Sequence, residues 1–525
     1  MSHSLRNKVL FPLAALLLAL LAGCRPDTPA ADLPSADVHS RLIDNVVIVD
    51  GSGAPRQAGA VRIEGGLITE AGVLVPLPGE TVIDGGGLVL APGFIDTHSH
   101  ADDDLFEQPG ALAAVSQGIT TAVFGQDGGS PMPLLDFRFR LIEQPAAINV
   151  AAYSGHNSLR EQVMGADYRR TATESEVHAM GLLLQYDLQA GALGLAAGLE
   201  YDPGIYSDTA EVIALARIAA AEGGRYISHV RSEDRRFEEA LDEILAIGQA
   251  ADIPVQISHL KLAMTRLWGR APEILAKLDA AREAGIDVTA DVYPYTYWQS
   301  NMMVLLPERD ITDREEVEFM LREIAPPDGM WFTQFDPQPE YVGKTLTEVA
   351  ELRGTDTATA FMELIAASEA VRAETGRGAD SIIGTSMHPD DVKALVAWPH
   401  SNICTDGALV DLHPRSAGSF PRVLGRYVRE DGLLSLEQAV HKMTGLAAQH
   451  MGFADRGLIA PGMAADLVLF DPDTVIDNAT PQQPAALSSG IAKVWVNGVV
   501  VYADGSETGT RPGRFLARAG TVPKT

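Results

Sequence analysis

The chain has 525 residues, of which 46% are hydrophobic and 6% aromatic, and it carries a formal net charge of −30. This composition is typical of a globular protein with a large core, and it excludes an intrinsically disordered chain. The acidic excess also argues against nucleic acid as a partner, because phosphate binding requires a basic surface stripe. An anionic small-molecule substrate would need cations placed locally within this negative field.

Residues 1–23 are predicted to be an export signal. Arg6 and Lys8 precede an apolar run that is shorter than the ~20 residues needed to span a membrane. The segment Leu21-Ala22-Gly23-Cys24 resembles a bacterial lipobox, which implies cleavage before Cys24 and acylation of its thiol. We therefore expect a lipoprotein on the periplasmic face of a cell-envelope membrane, with the outer membrane favoured by Arg25. The alternative is a soluble protein that is secreted or periplasmic.

Residues 24–40 are rich in Pro, Ala and Asp and are predicted to be a linker. The two ends of the remaining chain, residues 41–91 and 445–525, carry short β-branched runs between glycine-rich turns. Asn497-Gly498 separates two of these runs and is typical of a hairpin turn. We expect the two ends to form one small β-sandwich domain, with the middle of the chain inserted between them.

Residues 92–444 alternate between predicted strands and helices, which favours a (β/α)8 TIM-like barrel. The sequence contains nine candidate strands, one more than the barrel needs. Ser381–Gly384 is the candidate least suited to be a barrel strand. A helix is predicted over Asp234–Ala251, with its apolar residues on one stripe. The stretch from about 300 to 382 is too long for a single connection, so we expect it to form an inserted lid.

Five residues stand where predicted barrel strands end. His98 and His100, in PGFIDTHSH, are two residues apart and so point to the same face of a strand. His229 and His259 each end a strand and are one βα repeat apart, and Asp406 ends a later strand. Each histidine alone would be unremarkable, but the five share the carboxyl face of the barrel, where active sites form. The set predicts a site for Zn²⁺ or a similar ion.

Such a site supports hydrolysis. A bound metal lowers the pKa of its water and polarises a carbonyl oxygen. A nearby carboxylate can take a proton from that water and pass it to the leaving nitrogen. Asp406 is the candidate for this general base and acid.

The chain resembles the amidohydrolase superfamily and, within it, the D-aminoacylase (N-acyl-D-amino-acid deacylase) group. The resemblance extends from about residue 42 to residue 516. Its most specific segment is HPRSAGSFPRVLGRYVRE, which begins at His413. The other matching segments are PGFIDTHSH, QGITTAVFG, GHNSLREQVMG, GLEYDPG, SHVRSED, ISHLK, ADVYPY, RGLIAPGMAADLVLFDP and TGTRPGRFL.

The resemblance implies roles for matching positions and a cofactor of one or two Zn²⁺ ions. His98, His100, His229, His259 and Asp406 fall on metal and catalytic positions. Arg415, Lys261 and Tyr293 match groups that bind the substrate α-carboxylate, and Ser300 matches a further substrate contact. Tyr201 matches a tyrosine beside the reacting carbonyl.

Two positions depart from the family pattern. Asp127 stands where the family commonly has a metal-binding cysteine, and a carboxylate is a harder ligand than a thiolate. We predict that Asp127 binds or bridges metal; the alternative is an ordinary loop residue. Tyr297-Trp298-Gln299, before Ser300, is bulky where the family has small residues, and it is expected to reshape the side-chain pocket.

The expected reaction releases a free amino acid from an N-acyl-D-amino acid or from a dipeptide with a C-terminal D-residue. Residue types do not set chirality, so cyclic-amide opening or hydrolysis of an L-dipeptide is an alternative. A non-catalytic binding lipoprotein is a second alternative. No sequence feature predicts the oligomeric state.

Overall fold

Residues 40–102, 104–385 and 387–520 are described by the computed structural model. They belong to a unit that spans His39–Thr525. The predicted signal segment, Cys24 and the linker as far as residue 39 lie outside the described residues. Among the helices of the described ranges, none combines the length and apolar character needed to cross a membrane.

The described chain begins with five strands that belong to the small β domain. They are β1 (Arg41–Ile48), β2 (Gln57–Glu64), β3 (Leu67–Gly72), β4 (Thr81–Asp84) and β5 (Val89–Pro92). β1 pairs antiparallel with β2 on one side and parallel with β4 and then β5 on the other. Its β-branched residues suit this half-buried position, and Val46 and Ile48 are buried in the domain core.

The barrel follows without a linker. Its first seven strands are β6 (Phe94–Asp96), β7 (Ile119–Phe124), β8 (Asn149–Ala152) with its short extension β9 (Ser154–Gly155), β10 (Gly194–Gly198), β11 (Arg225–His229), β12 (Val255–Ile257) and β13 (Val288–Val292). All neighbours are parallel. The strands read as continuous apolar runs rather than alternating ones because both of their faces are covered.

Helices connect these strands around the outside of the barrel. They are α1 (Leu112–Val115), α2 (Leu134–Glu143), α3 (His156–Met164), α4 (Glu174–Gln189), α5 (Thr209–Ala221), α6 (Phe237–Ala251) and α7 (Ala271–Glu283), with 3-10 turns at Gly165–Asp167, Gly204–Tyr206 and Thr265–Leu267. The predicted apolar stripe of α6 is buried. The helix begins three residues later than predicted because Ser232 Oγ donates to Asp234 Oδ1 (2.6 Å) and holds a local turn.

The predicted lid is an insertion with its own sheet. It contains β14 (Tyr297–Ser300), α8 (Arg314–Glu323), β15 (Met330–Phe335), α9 (Leu346–Arg353), α10 (Thr357–Thr375) and β16 (Asp380–Thr385), with 3-10 turns at Met302–Leu305, Pro327–Gly329 and Pro339–Tyr341. Strand β16 lies between β14 and β15 and is antiparallel to both. The run Ser381–Gly384 therefore belongs to the insertion and not to the barrel. The sheet begins at Tyr297, three residues before the predicted boundary.

The barrel closes after the insertion. The elements are α11 (Pro389–Ala397), β17 (Ser401–Ile403), α12 (Arg415–Arg422), a π-helical segment (Val423–Glu430), α13 (Leu436–Met443) and α14 (Gly445–Met451). β17 pairs with β13, and a parallel bridge from Gly407 to Ser99 joins it to the end of β6. Eight parallel strands thus form the barrel, and the predicted fold class is confirmed.

The last strands return to the β domain. They are β18 (Leu467–Phe470), β19 (Ile491–Val496), β20 (Val499–Ala503) and β21 (Ser506–Glu507), and the β19–β20 hairpin turns at Asn497-Gly498 as predicted. The two chain ends form one small β domain, as predicted. Because β5 pairs with both β1 and β18, the strands from both chain ends join edge to edge into one nine-stranded sheet. One face of that sheet covers a core that includes Ile43, Ile63 and Trp495.

The segment after residue 445 contacts the barrel as well as the β domain. Helix α14 packs against the barrel, where Ala447 and Ala448 contact Ile95 of β6. The tail returns to the barrel as well, since the backbone of Gly513 donates to Ala146 (2.9 Å) and that of Leu516 donates to Val150 (2.7 Å). The C-terminal part of the β domain is therefore restricted to β18–β21 and their connections.

Candidate active site

Six predicted metal-binding residues lie at the carboxyl ends of five barrel strands. His98 and His100 follow β6, Asp127 follows β7, His229 ends β11, His259 follows β12 and Asp406 follows β17. The carboxyl ends of parallel barrel strands share one face, so these side chains converge although up to 308 residues separate them in sequence.

Four of these residues form a first donor group, His98, Asp127, His259 and Asp406, whose ligand atoms all lie within 4.8 Å of one another. His98 Nε2 is 3.5 Å from Asp127 Oδ1 and 3.3 Å from Asp406 Oδ1. His100 Nε2 joins them, at 3.4 Å from Asp127 Oδ2 and 3.3 Å from Asp406 Oδ1. Two ligands of a tetrahedral zinc ion stand about 3.3 Å apart, so the spacing fits one ion.

A second donor group contains His229, Glu233 and His259. His229 Nδ1 lies 3.1 Å from His259 Nε2, and Glu233 Oε1 lies 3.0 Å from His259 Nδ1. His259 belongs to both groups, and Asp127 Oδ1 is 3.3 Å from His259 Nε2. Asp127 thus lies close to the histidine that the two groups share.

Buried polar atoms without partners support a cation in this place. Among the described residues, both ring nitrogens of His98 and Oδ1 of Asp127 are buried and make no hydrogen bond. Leaving such atoms unpaired is costly unless a ligand satisfies them. The backbone φ is also positive at Asp127 (51°), His259 (34°) and Asp406 (51°), a conformation that non-glycine residues rarely adopt. The donor set fits a metal ion.

The charges of the donors are complementary. Burial raises the pKa of Asp127, but His98 and His259 together lower it well below its usual range. Burial lowers the pKa of His98, yet Asp127, Asp291 and Asp406 raise it to about 9. The carboxylates are therefore ionised, and a bound cation would displace protons from the imidazoles.

A layer of buried carboxylates orients the donors from behind. Asp291 accepts from the backbone of His259 (2.6 Å), and its Oδ1 lies 3.5 Å from His98 Nδ1. Asp96 accepts from the backbone of Thr405 (2.9 Å), next to Asp406. Partners of this kind fix ring orientation and ligand basicity.

Above the donors lies a cavity of about 550 Å³, which all predicted substrate residues line. Arg415 Nη1 pairs with Asp406 Oδ2, while its buried Nε has no partner among the described residues. The buried Tyr293 hydroxyl is likewise without a partner there, and its ring lies 4.9 Å from Arg415 Cζ. Lys261 Nζ contacts Glu233 Oε1 at 2.6 Å. Two unsatisfied donors and an ammonium thus face one region of the cavity.

His413 positions Arg415. Its Nδ1 accepts from the Arg415 backbone N–H (2.9 Å), so its Nε2 carries the proton and donates to the carbonyl of Tyr297 (3.1 Å). Burial and the charge of Arg415 lower the pKa of His413 well below its usual range. A neutral imidazole therefore links the carboxylate-binding arginine to the first strand of the insertion.

Tyr201 and the insertion complete the cavity. The Tyr201 ring lies 4.4 Å from that of His229. Ser300 lines the opposite wall with Trp298 and Gln299, whereas Tyr297 packs against His413 instead. Of the three bulky residues that precede Ser300, two therefore reshape the cavity.

Three functional carboxylates were missed by sequence reasoning. Glu233 belongs to the second donor group, Glu200 Oε2 lies 2.9 Å from His229 Nε2, and Asp291 supports two histidines. Each stands in a segment already noted, SHVRSED, GLEYDPG or ADVYPY. The available signal was an acidic residue close to a strand end, which is too common in loops to identify a ligand by itself.

A parallel barrel with histidines and carboxylates converging at its carboxyl face defines a metal-dependent amidohydrolase. The model of the amidohydrolase family matches residues 81–325 and 342–502, and the chain belongs to this family.

Close relatives narrow the assignment. The chain is 38% identical to N-acyl-D-glutamate deacylase of Alcaligenes xylosoxydans xylosoxydans, over 92% of this chain and 97% of that protein. It is 37% identical to D-aminoacylase of the same organism, over 91% and 97%. The crystal structure of N-acyl-D-glutamate deacylase from Bordetella bronchiseptica, complexed with zinc and a phosphonate mimic of the tetrahedral intermediate, aligns with a TM-score of 0.81. That alignment has 37% identity and covers 91% of this chain and 99% of that one. The chain is a member of the D-aminoacylase group, hydrolases of linear amides, as its sequence resemblance indicated.

Proposed function

We propose that this protein hydrolyses N-acyl-D-amino acids to a carboxylic acid and a free D-amino acid. The observation that carries the proposal is a carboxylate clamp, Arg415, Lys261 and Tyr293, in the same cavity as the metal donors. The clamp holds the α-carboxylate, which sets the amide carbonyl beside the donors. We infer the D configuration from the relatives described above, which are named for their action on D-amino-acid derivatives.

Zinc is the proposed cofactor. The first donor group, His98, Asp127, His259 and Asp406, with His100 beside it, would hold one ion, and His229 and Glu233 of the second group offer a further position. A bound zinc ion polarises the amide carbonyl and acidifies water.

Asp406 is the proposed general base and acid. Burial raises its pKa, but Arg415, His259 and His98 lower it far below its usual value, so the carboxylate is ionised before the reaction begins. It takes a proton from the attacking water and delivers it to the amide nitrogen as the C–N bond breaks. Arg415 uses only Nη1 on Asp406, which leaves its Nε edge for the substrate carboxylate.

Tyr201 is proposed to donate a hydrogen bond to the carbonyl oxygen as negative charge develops there. Burial, with the charges of Asp127 and Glu233, raises the pKa of Tyr201 well above its usual value. The hydroxyl therefore keeps its proton, as a donor to a developing oxyanion must.

The cavity favours substrates with an uncharged side chain. Its lining includes two cations, both assigned to the α-carboxylate, and seven carboxylates: Asp127, Glu200, Glu233, Asp234, Asp380, Asp406 and Asp411. The wall formed by the insertion is neutral or apolar, with Trp298, Gln299 and Leu305, apart from Asp380. A second carboxylate on the substrate would meet no free cation among the described lining residues, so we infer neutral side chains despite the relative that acts on N-acyl-D-glutamate.

A panel of isosteric substrates tests the proposal. Zinc-loaded protein is assayed with N-acetyl-D-glutamine against N-acetyl-D-glutamate, and with the L-enantiomer of each. We expect kcat/KM to be at least about tenfold higher for the amide, which corresponds to about 1.4 kcal/mol of like-charge repulsion. Turnover of the L-substrates alone would contradict the proposed reaction. A preference for N-acetyl-D-glutamate would contradict only the inference that the substrate side chain is uncharged.

We further propose that the protein is a lipoprotein of the cell envelope, on the periplasmic face of a membrane. The support is the lipobox-like segment Leu21–Cys24. Mass spectrometry of the mature protein should find diacylglycerol and an amide-linked fatty acid on Cys24, and Cys24→Ala should abolish both. A mature chain that begins elsewhere without lipid would favour secretion.

A further inference from the structure

The β domain carries an exposed apolar loop. Residues 72–79, GVLVPLPG, are eight consecutive uncharged residues in a chain with a net charge of −30. The side chains of Val73 (94% exposed), Val75 (74%), Leu77 (48%) and the nearby Val82 (47%) project into solvent. We call these four residues the apolar edge. Exposed apolar clusters on soluble domains mark contact surfaces.

The loop is held in place by a buried arginine. Arg62, itself 5% exposed, donates to the carbonyl of Val75 (2.8 Å) and pairs with Glu80 and Glu70, each at 2.7 Å. Glu80 Oε2 accepts from the backbone of Leu77 (2.9 Å). Because these contacts fix the loop backbone, the apolar side chains are kept exposed rather than free to fold inward. The same contacts neutralise the charges of Arg62 and Glu80 next to the loop.

The N-terminal segment joins the domain beside this loop. The backbone of Thr81 donates to the carbonyl of Ser40 (3.2 Å), and Ser40 Oγ bonds to Glu80. In β1 and β4, Leu42 is the direct partner of Val82. Fifteen residues separate Ser40 from Cys24, and a chain of that length spans at most about 50 Å. A lipid anchor at Cys24 would therefore keep Ser40, beside the apolar edge, within about 50 Å of the bilayer surface, so the edge can reach the membrane.

We propose that the apolar edge rests on the lipid bilayer that holds the anchor, with its valine and leucine side chains inserted at the boundary between the headgroups and the acyl chains. This inference depends on the acylation of Cys24 proposed above. The surface fits zwitterionic lipid. The apolar edge has no charged residue, and the neighbouring Arg62 is already paired with Glu80 and Glu70, so it does not attract an anionic headgroup.

Tryptophan fluorescence tests the contact. Full-length acylated protein carrying Val75→Trp is reconstituted into phosphatidylcholine vesicles with brominated acyl chains. Ile142→Trp is the matched control, since Ile142 of α2 is also 74% exposed but lies on the barrel. We expect brominated lipid to quench position 75 at least about twofold more than position 142, because only position 75 reaches the acyl region. Val73→Trp provides a second reporter in the same loop.

The outcomes separate the two proposals. If acylated protein shows no quenching at positions 73 and 75, or equal quenching at position 142, the proposed contact between the apolar edge and the bilayer is wrong. The proposed lipid anchor at Cys24 would not be affected by that result. Absence of lipid on Cys24 by mass spectrometry would overturn both. If Val75→Asp converts a dimer to a monomer in sedimentation, a second copy occupies the surface and the bilayer assignment is wrong.

Discussion

The two walls of the active-site cavity are built on different principles. The barrel wall is dense with charge and backbone strain: Asp127, His259 and Asp406 have positive φ, and buried carboxylates support them. The wall contributed by the insertion is mostly neutral, with Trp298 and Gln299 on β14 and Ser381 on β16. This contrast indicates that the barrel wall determines the chemistry and the insertion determines which side chain is accepted.

The largest effect should follow a change in the barrel wall. Asp406→Asn keeps the size of the side chain and an oxygen that can still face the metal, but it cannot accept a proton, so kcat should fall by about 1,000-fold for every substrate while zinc stays bound. Steady-state kinetics and metal analysis check this. Asp411→Asn is the control, a cavity carboxylate in the same loop that accepts from Ser416. Equal losses in both variants would contradict the assigned role of Asp406.

A smaller loss should follow Arg415→Lys. Lysine keeps the charge but loses the planar fork, so the substrate carboxylate is held less well and kcat/KM should fall by about 100-fold, mostly through KM. Arg422→Lys, at the other end of α12 and paired with Asp477, should leave KM unchanged. An unchanged KM for Arg415→Lys would contradict the proposal that Arg415 binds the substrate carboxylate.

The insertion wall should respond differently. Trp298→Ala is expected to change the ratio of kcat/KM between large and small neutral side chains by about tenfold, because it enlarges the pocket without touching a metal donor. Zinc content should not change. Trp331→Ala, in the same small sheet but outside the cavity lining, should leave selectivity as it is. An equal loss of kcat/KM for all substrates would contradict the proposal that the insertion wall determines side-chain selectivity.

The smallest effect on turnover is expected from Glu211→Gln, beneath the barrel wall. Buried Glu211 pairs with Arg160 and lies 2.7 Å from His156. Removing one partner of such a buried pair should lower the free energy of unfolding by about 3–5 kcal/mol at pH 7. Burial raises the pKa of Glu211, but His156 and Arg160 lower it overall.

Since the folded pKa is below the unfolded value of about 4.3, this stabilisation is present above that value and is lost as the pH falls through the folded pKa. Denaturant unfolding at pH 7 and pH 3 should therefore show a difference between wild type and variant that shrinks in acid. Glu363→Gln, in an exposed pair with Arg353, should cost under about 1 kcal/mol. A difference that grows in acid would contradict the sign of the pKa shift.

The sequence predicted the barrel because its strands and helices follow distinct periodicities, and it predicted the donors because they recur in phase with the strand ends. His98 and His100 alone are a weak indication of a metal site. The spacing of His229 and His259, which also follow strand ends, made that indication specific. The exclusion of Ser381–Gly384 from the barrel followed from counting strands. The pairing of β5 with both β1 and β18 could not be predicted, since it depends on how distant chain ends meet.

The sequence alone determined the fold class, the family and the principal site residues, because these depend on local patterns and on motifs that survive in linear order. Only the tertiary structure decided that Glu200, Glu233 and Asp291 belong to the site, that Arg415 is shared between Asp406 and the substrate clamp, and that His413 links that clamp to the insertion. These are contacts between residues brought together by barrel closure. Their distances and burial, rather than their residue types, determine their charge state and therefore their chemistry.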